Sequence, residues 1–220
     1  MKRTVLLLVS LLVLSVVSAT AGTTVLTFEG LQDEEAILNY YNGGFGGNGS
    51  GPGPNYGITF GANSLAIISG ANGGSGNFSG APSMPTIAFF LSGPGDVMDV
   101  PAGFDTGFSF YYSAVVYPGE VDVWSGLDGT GTELASIYLP VTPSGGAGCT
   151  YGSYCPWFPI GVSFAGTAES AVFTGTADYI GFDNITLGAS TPVGAPEPTT
   201  LALLGSGLLG LLGMNRRRKS

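Results

Sequence analysis

The chain contains no histidine, and its six lysines and arginines are confined to the two ends. Lys2 and Arg3 stand at the start, Arg216, Arg217, Arg218 and Lys219 at the finish, and no cationic side chain lies between Thr4 and Asn215. The missing imidazole excludes Ser-His-Asp and Cys-His nucleophile systems and the His-containing zinc sites. Without interior lysine or arginine there is no Schiff-base chemistry, no arginine clamp and no cationic phosphate grip in the body. Nucleic acid is excluded as a partner, because its binding depends on neutralising phosphates and the formal net charge is −9. Cysteine is scarce too, with only Cys149 and Cys155 present and no neighbours suited to a metal or redox pair. Helical periodicity is nearly absent from the long middle of the chain.

What is present begins with the ends. Lys2 and Arg3, an apolar run over 4–17 and the small residues Ala19-Thr20-Ala21 form a secretory signal over residues 1–21. An exported chain makes a Cys149–Cys155 disulfide the default expectation, and so small a loop would shape residues 151–154 more than it would staple the fold. At the other end, Pro196-Glu197-Pro198 precedes an apolar helix over 199–214 and a basic cluster over 216–219. Its apolar core of about 14 residues covers roughly 21 Å as a helix, short of the ~30 Å hydrocarbon layer. That makes it a weak permanent anchor. Basic residues beside apolar segments stay on the cytoplasmic side, so both ends face inward at least transiently and the acidic body faces out.

This three-part tail resembles a PEP-CTERM sorting signal over about the last 25 residues. The resemblance implies export across the inner membrane of a Gram-negative bacterium that makes exopolysaccharide. It also implies processing near the motif by an integral-membrane exosortase. Pro196, Glu197 and Pro198, with Arg216, Arg217 and Arg218, would be sorting residues and not catalytic ones. The precursor would be membrane-anchored through its C-terminal helix for a time, and the mature form would reside at the cell surface or in the extracellular matrix.

Between the signals, residues 22–190 form one extracytoplasmic domain, followed by a linker over 191–195. Its glycine, threonine, β-branched and aromatic content argues for an all-β fold. Strands are expected over 23–29, 56–60, 64–69, 86–92, 104–113, 120–125, 133–139, 160–164, 170–174 and 179–187, separated by turn residues. About ten short strands suggest a jelly-roll-like β-sandwich. Alternation places Phe104, Thr106, Phe108, Phe110 and Tyr112 on one face, with Asp105, Gly107, Ser109 and Tyr111 on the other. Val121 and Val123 likewise oppose Glu120, Asp122 and Trp124. Acids Asp33, Glu34 and Glu35 ahead of Ala36-Ile37-Leu38 suit a short helix over 32–41. The glycine-rich stretches 42–55 and 70–80 cannot bury enough apolar surface to hold themselves. They are loops, mobile or held by their neighbours.

The body carries a looser resemblance to a recurrent PEP-CTERM extracellular domain, through Tyr40-Tyr41-Asn42-Gly43-Gly44, Asn55-Tyr56-Gly57-Ile58-Thr59-Phe60, the 125–132 turn and Phe182-Asp183-Asn184-Ile185. It implies a β-sandwich of unassigned role, with no catalytic residues to carry over.

Three chemistries survive the exclusions. A pair of carboxylates can hydrolyse a glycosidic bond, and Asp122 beside Trp124 is one candidate; the alternative is a solvated acid on a polar face. Carboxylates also suit calcium. The alternation over 179–187 slips, since Ile180 and Phe182 share a phase that Ile185 and Leu187 do not, and a bulge at Asp183-Asn184 would repair it. The arrangement resembles that of many jelly-roll carbohydrate-binding modules, which implies a structural calcium between first and last strands, with Glu29 as the third ligand. The alternative is that Asp183 and Asn184 bond local backbone. Finally, Tyr111 and Trp124 with Asp122 could form a sugar-binding surface, or the two rings could serve packing alone.

The reading is therefore a non-enzymatic exported protein with a structural or interaction role associated with exopolysaccharide. A carbohydrate-binding adhesin-like module is the alternative, and a carboxylate-dependent glycan-cleaving enzyme is more distant.

Overall fold

The computed structural model describes residues 22–193. The signal peptide over 1–21 and the sorting tail from Pro196 lie outside the described residues. Among those described, no helix is long and apolar enough to cross a membrane.

Twelve strands build two antiparallel sheets packed as a sandwich. The larger sheet holds β1 (Thr24–Leu26), β2 (Glu35–Ala36), β4 (Ser64–Ile68), β5 (Thr86–Phe90), β7 (Gly107–Ser113), β10 (Phe158–Ser163) and β12 (Gly181–Leu187). The smaller holds β3 (Thr59–Phe60), β6 (Gly95–Phe104), β8 (Gly119–Gly126), β9 (Thr130–Leu139) and β11 (Ala168–Gly175). From β5 to β12 the chain changes sheet at every connection except the β8–β9 hairpin. The orders are β10-β7-β12-β5-β4-β2 and β3-β6-β11-β8-β9, with β1 also paired to β12.

The period of two puts Phe108, Phe110 and Tyr112 of β7 and Val121 and Val123 of β8 into one core. Phe173 of β11 and Phe182 of β12 meet there edge to face, 4.9 Å between ring centres. Each such ring removed from water contributes about 1.5–3 kcal/mol, so the aromatic interleaving of the two sheets is the main source of cohesion.

Three sequence expectations need correcting. The 32–41 segment forms no helix; it contains β2 and turns, with Glu34 and Leu38 at positive φ. Its acids bind backbone donors drawn mostly from elsewhere in the chain. Asp33 accepts the N–H groups of Ile68 (2.8 Å) and Ser75 (2.9 Å). Glu35, fully buried, accepts those of Gln32, Asn48 and Ser50 at 2.7, 2.8 and 3.0 Å. Both glycine-rich loops are thus held by their neighbours. At Gly46 a Cβ would fall 2.6 Å from a Glu35 oxygen, which is why a residue without one stands there.

A whole strand, β6, escapes the sequence reading because Asp96, Asp99, Pro101 and Gly103 interrupt its apolar pattern. Nonetheless Asp96, Met98 and Val100 alternate inward and are buried. The strand expected over 104–113 is two: Phe104 closes β6, and a tight turn with Thr106 at φ +66 starts β7.

Past β12 the chain stays on the body. Residues 188–190 cross the outer face of β7 and β10, where Ser109 Oγ donates to Ala189 O (2.8 Å) and Gly188 N to Gly107 O (3.0 Å). A Cβ at Gly161 would lie 2.4 Å from Ser190 O, so the strap requires a bare backbone beneath it. Pro192 is buried, and Val193 O accepts from Asn184 Nδ2 at 3.5 Å.

Candidate functional site

The outer face of the larger sheet is not simply solvated. Where Ala66, Ala88 and Phe90 of β4 and β5 point to the core, Ile67, Ile87 and Phe89 point outward by the same alternation. A second, small cluster covers part of that face. Phe78 and Trp157 meet edge to face at 6.0 Å, and the Trp157 indole N–H donates to Ser79 O at 3.1 Å. Phe78 lies in the loop after β4, and Trp157 follows two residues after the Cys149–Cys155 disulfide, which is formed. The loop and the disulfide-closed stretch are joined where Ser153 and Tyr154 both donate their N–H groups to Asn77 O at 3.1 Å. The disulfide loop therefore places Tyr154.

Beside this cluster lies a cavity of about 320 Å³. Ile67, Ile87 and Phe89 line its floor, while Tyr154 and Tyr179 contribute aromatic surface. Ser75, Asn77 and Asp178, all exposed, bring a hydroxyl, an amide and a carboxylate to its rim. Asp178 is held at φ +67 in the turn before β12, and its carbonyl accepts from the Tyr154 hydroxyl at 3.4 Å. Burial, reinforced by Asp178 and Tyr179, pushes the Tyr154 phenol up to about 12, so it stays a neutral hydroxyl. Tyr179 is braced by Tyr117, whose ring meets it edge-on at 4.9 Å.

These residues were missed in the sequence. The available signal was an aromatic next to each of two turn elements, Tyr154 inside the cysteine-bounded loop and Tyr179 after Asp178. Tyr154 lies in no expected strand, and Tyr179, which opens the strand expected over 179–187, instead falls in the turn before β12.

The residues singled out for sugar are divided between opposite faces. Tyr111 lies on the outer face of the larger sheet, packed against the Phe78–Trp157 cluster. Asp122 and Trp124 lie on the outer side of β8 in the smaller sheet, across from Val172 and Ser170 of β11. Trp124 is half-buried with its indole N–H unpartnered. One ligand cannot use all three.

Glu29 lies near enough to Asp183 to act on its charge, and Asn184 follows Asp183 in the chain; among the described residues no group of three or more Asp, Glu, Cys or His is placed to hold a metal. The bulge is present: the β12–β7 register shifts between Asp183 and Thr186, and Asn184 sits at φ +48. It falls where β12 exchanges its partner β5 for β1. Asp183 is fully buried, accepting from Ser83 N, Ser83 Oγ and Asn184 N, each at 2.7 Å. Burial, with a smaller push from Glu29, raises its carboxyl to about 7 against those bonds. Burial also raises Glu29, which accepts from Thr86 N at 3.1 Å. Asn184 Oδ1 is buried without a partner.

The tail decides how the protein is handled. The chain carries a PEP-CTERM protein-sorting motif at residues 195–219. A PEP-CTERM tail marks an exported protein that an exosortase processes and that resides outside the cell or on its surface. No curated protein matches the chain. Among solved structures, the K2 cleaved adhesin domain of Lys-gingipain is similar at 14% identity and a TM-score of 0.47, over 76% of this chain and 100% of that one. A family 6 carbohydrate-binding module is similar at 16% identity and 0.36, over 60% and 87%. The module CBM6cm-2 from Cellvibrio mixtus lichenase 5A gives 12% and 0.34, over 58% and 88%. With TM-scores below 0.5 these add nothing to the fold, which rests on the strand pairing above.

Proposed function

We propose that this PEP-CTERM protein is a non-catalytic component of the exopolysaccharide matrix or cell surface, delivered as an exosortase substrate. The observation that carries the reading is the sorting motif at 195–219 behind a folded body that has no cationic side chain. Such a body meets an acidic polymer through calcium bridging or neutral contacts, since direct ion pairing is closed to it. Mass spectrometry of the exported protein's C-terminus, with and without the sorting enzyme, tests the reading. Truncation near Pro196 only when the enzyme is present is the expected result, and an intact tail in both strains would refute it.

A structural calcium at Glu29, Asp183 and Asn184 belongs to the same proposal. Its support is an all-oxygen donor set, two carboxylates close enough for Glu29 to raise Asp183, and an unpartnered Asn184 oxygen. The ion would offset the mutual repulsion of the acids where the first and last strands meet. A second reading, a carbohydrate-binding adhesin, is favoured by the mixed apolar and polar cavity on the larger sheet.

A further inference from the structure

We infer that the cavity between Tyr154 and Tyr179 is a binding site for one neutral sugar unit, with Asp178 and Asn77 reading its hydroxyls. This deepens the adhesin reading and rests on it. The volume, about 320 Å³, is at the small end of ligand pockets, which span roughly 300–1,000 Å³. It suits a single sugar ring and not a folded partner.

The lining is split in the way a pyranose is split. A sugar ring has apolar C–H faces and a hydroxyl-bearing edge. Ile67, Ile87 and the two tyrosines give apolar and aromatic surface, whose electron-rich faces accept polarised C–H groups. Asp178 supplies acceptors at the exposed rim and Asn77 the donors of its amide nitrogen, its Oδ1 already accepting from Ser153 N at 3.2 Å. A purely aliphatic ligand would leave that rim unused.

Charge narrows the class further. With no lysine, arginine or histidine anywhere in the described body, nothing balances an anionic ligand. A uronate or phosphorylated sugar brought against Asp178 would be repelled. A neutral sugar meets no such penalty. The disulfide loop matters because Tyr154 is placed by it, through the shared Asn77 carbonyl. Opening Cys149–Cys155 should loosen one side of the site without touching the sandwich core.

The test uses the exported protein purified from culture and a panel of neutral hexoses, pentoses, 6-deoxyhexoses and N-acetylhexosamines, with glucuronate and glucosamine as charged comparators. Binding is followed by NMR shifts of the tyrosine resonances. At least one neutral sugar should bind saturably and glucuronate should not. Tyr179→Ala and Asp178→Asn should each weaken binding by about tenfold or more, as loss of a packed or hydrogen-bonding partner does. Tyr138→Ala, which removes an exposed ring on β9 in the other sheet, should leave it unchanged. A reductant that opens the disulfide should also weaken it. No binding by any neutral sugar overturns the inference, as does binding that survives both pocket variants. Binding of glucosamine alone, lost in Asp178→Asn, would make this a cation site. Should either Tyr179→Ala or Asp178→Asn fail to fold, the other decides. None of these outcomes changes where the protein is sorted, so the C-terminal mass measurement stands or falls separately.

Discussion

Asp96 shows what a single carboxylate costs in this sandwich. The β6 alternation turns it inward, where it is 7% exposed and its Oδ2 has no partner. Burial pushes its carboxyl up to about 6, against hydrogen bonds from Ser64 and the Val97 N–H. The folded protein therefore keeps a proton that the unfolded chain has already released between roughly pH 4 and pH 6. Its contribution is fully present below that window and is lost as pH rises through it, by up to about 1.4 kcal/mol per unit. Thermal melting should accordingly rise as the protein is taken from pH 8 to pH 5. Asp96→Asn, nearly isosteric and uncharged, should melt higher than wild type at pH 8 and show a shallower pH slope. An identical slope in the variant would remove Asp96 from the account. Nothing in the chain's alternation points to this role, because an inward aspartate reads as a break in a strand.

At the scale of elements, local composition misleads in the 32–55 region and the physics explains why. Acids ahead of an apolar triplet fit a helix start, but a helix would leave the loop over 42–55 with unpaired backbone. Glu35 resolves this by accepting three N–H groups, two of them from that loop. Burial alone would raise its carboxyl; the bonds to Ser50, Gln32 and Asn48 outweigh that and hold it below the usual range. Glu35→Ala would leave the buried Ser50 N–H without a partner and free the partly buried N–H groups of Gln32 and Asn48, and should destabilise by about 2 kcal/mol. Limited proteolysis should then cut within 42–55 much faster than in wild type, and an unaltered cleavage rate would mean the loop is held by other means. Where a strand has one clean face the sequence is readable: β7, β8 and the bulge in β12 all follow from alternation. β2 and β6 do not, since one is two residues long and the other is studded with polar residues.

For the whole molecule, the sheet pairing makes Asp183 a junction, because β12 meets β5, β7 and β1 there. A calcium ion across Glu29, Asp183 and Asn184 would bind the folded state alone and stabilise it by mass action. Chelation should lower the melting temperature of the exported protein and added calcium should restore it; a midpoint indifferent to both would dispose of the ion. The two-sheet architecture was legible from strand count and turn spacing. The sugar cavity was not, because it is assembled from turns and loops that meet only after the larger sheet forms.

The strap over β7 and β10 carries one last consequence. The body grips the chain as far as Val193, and only Gly194 and Ala195 intervene before Pro196. The three Cα–Cα steps from Val193 to Pro196 reach roughly 11 Å at full stretch. Whatever is joined to the chain at the motif is thus tethered within that short covalent reach of the sandwich.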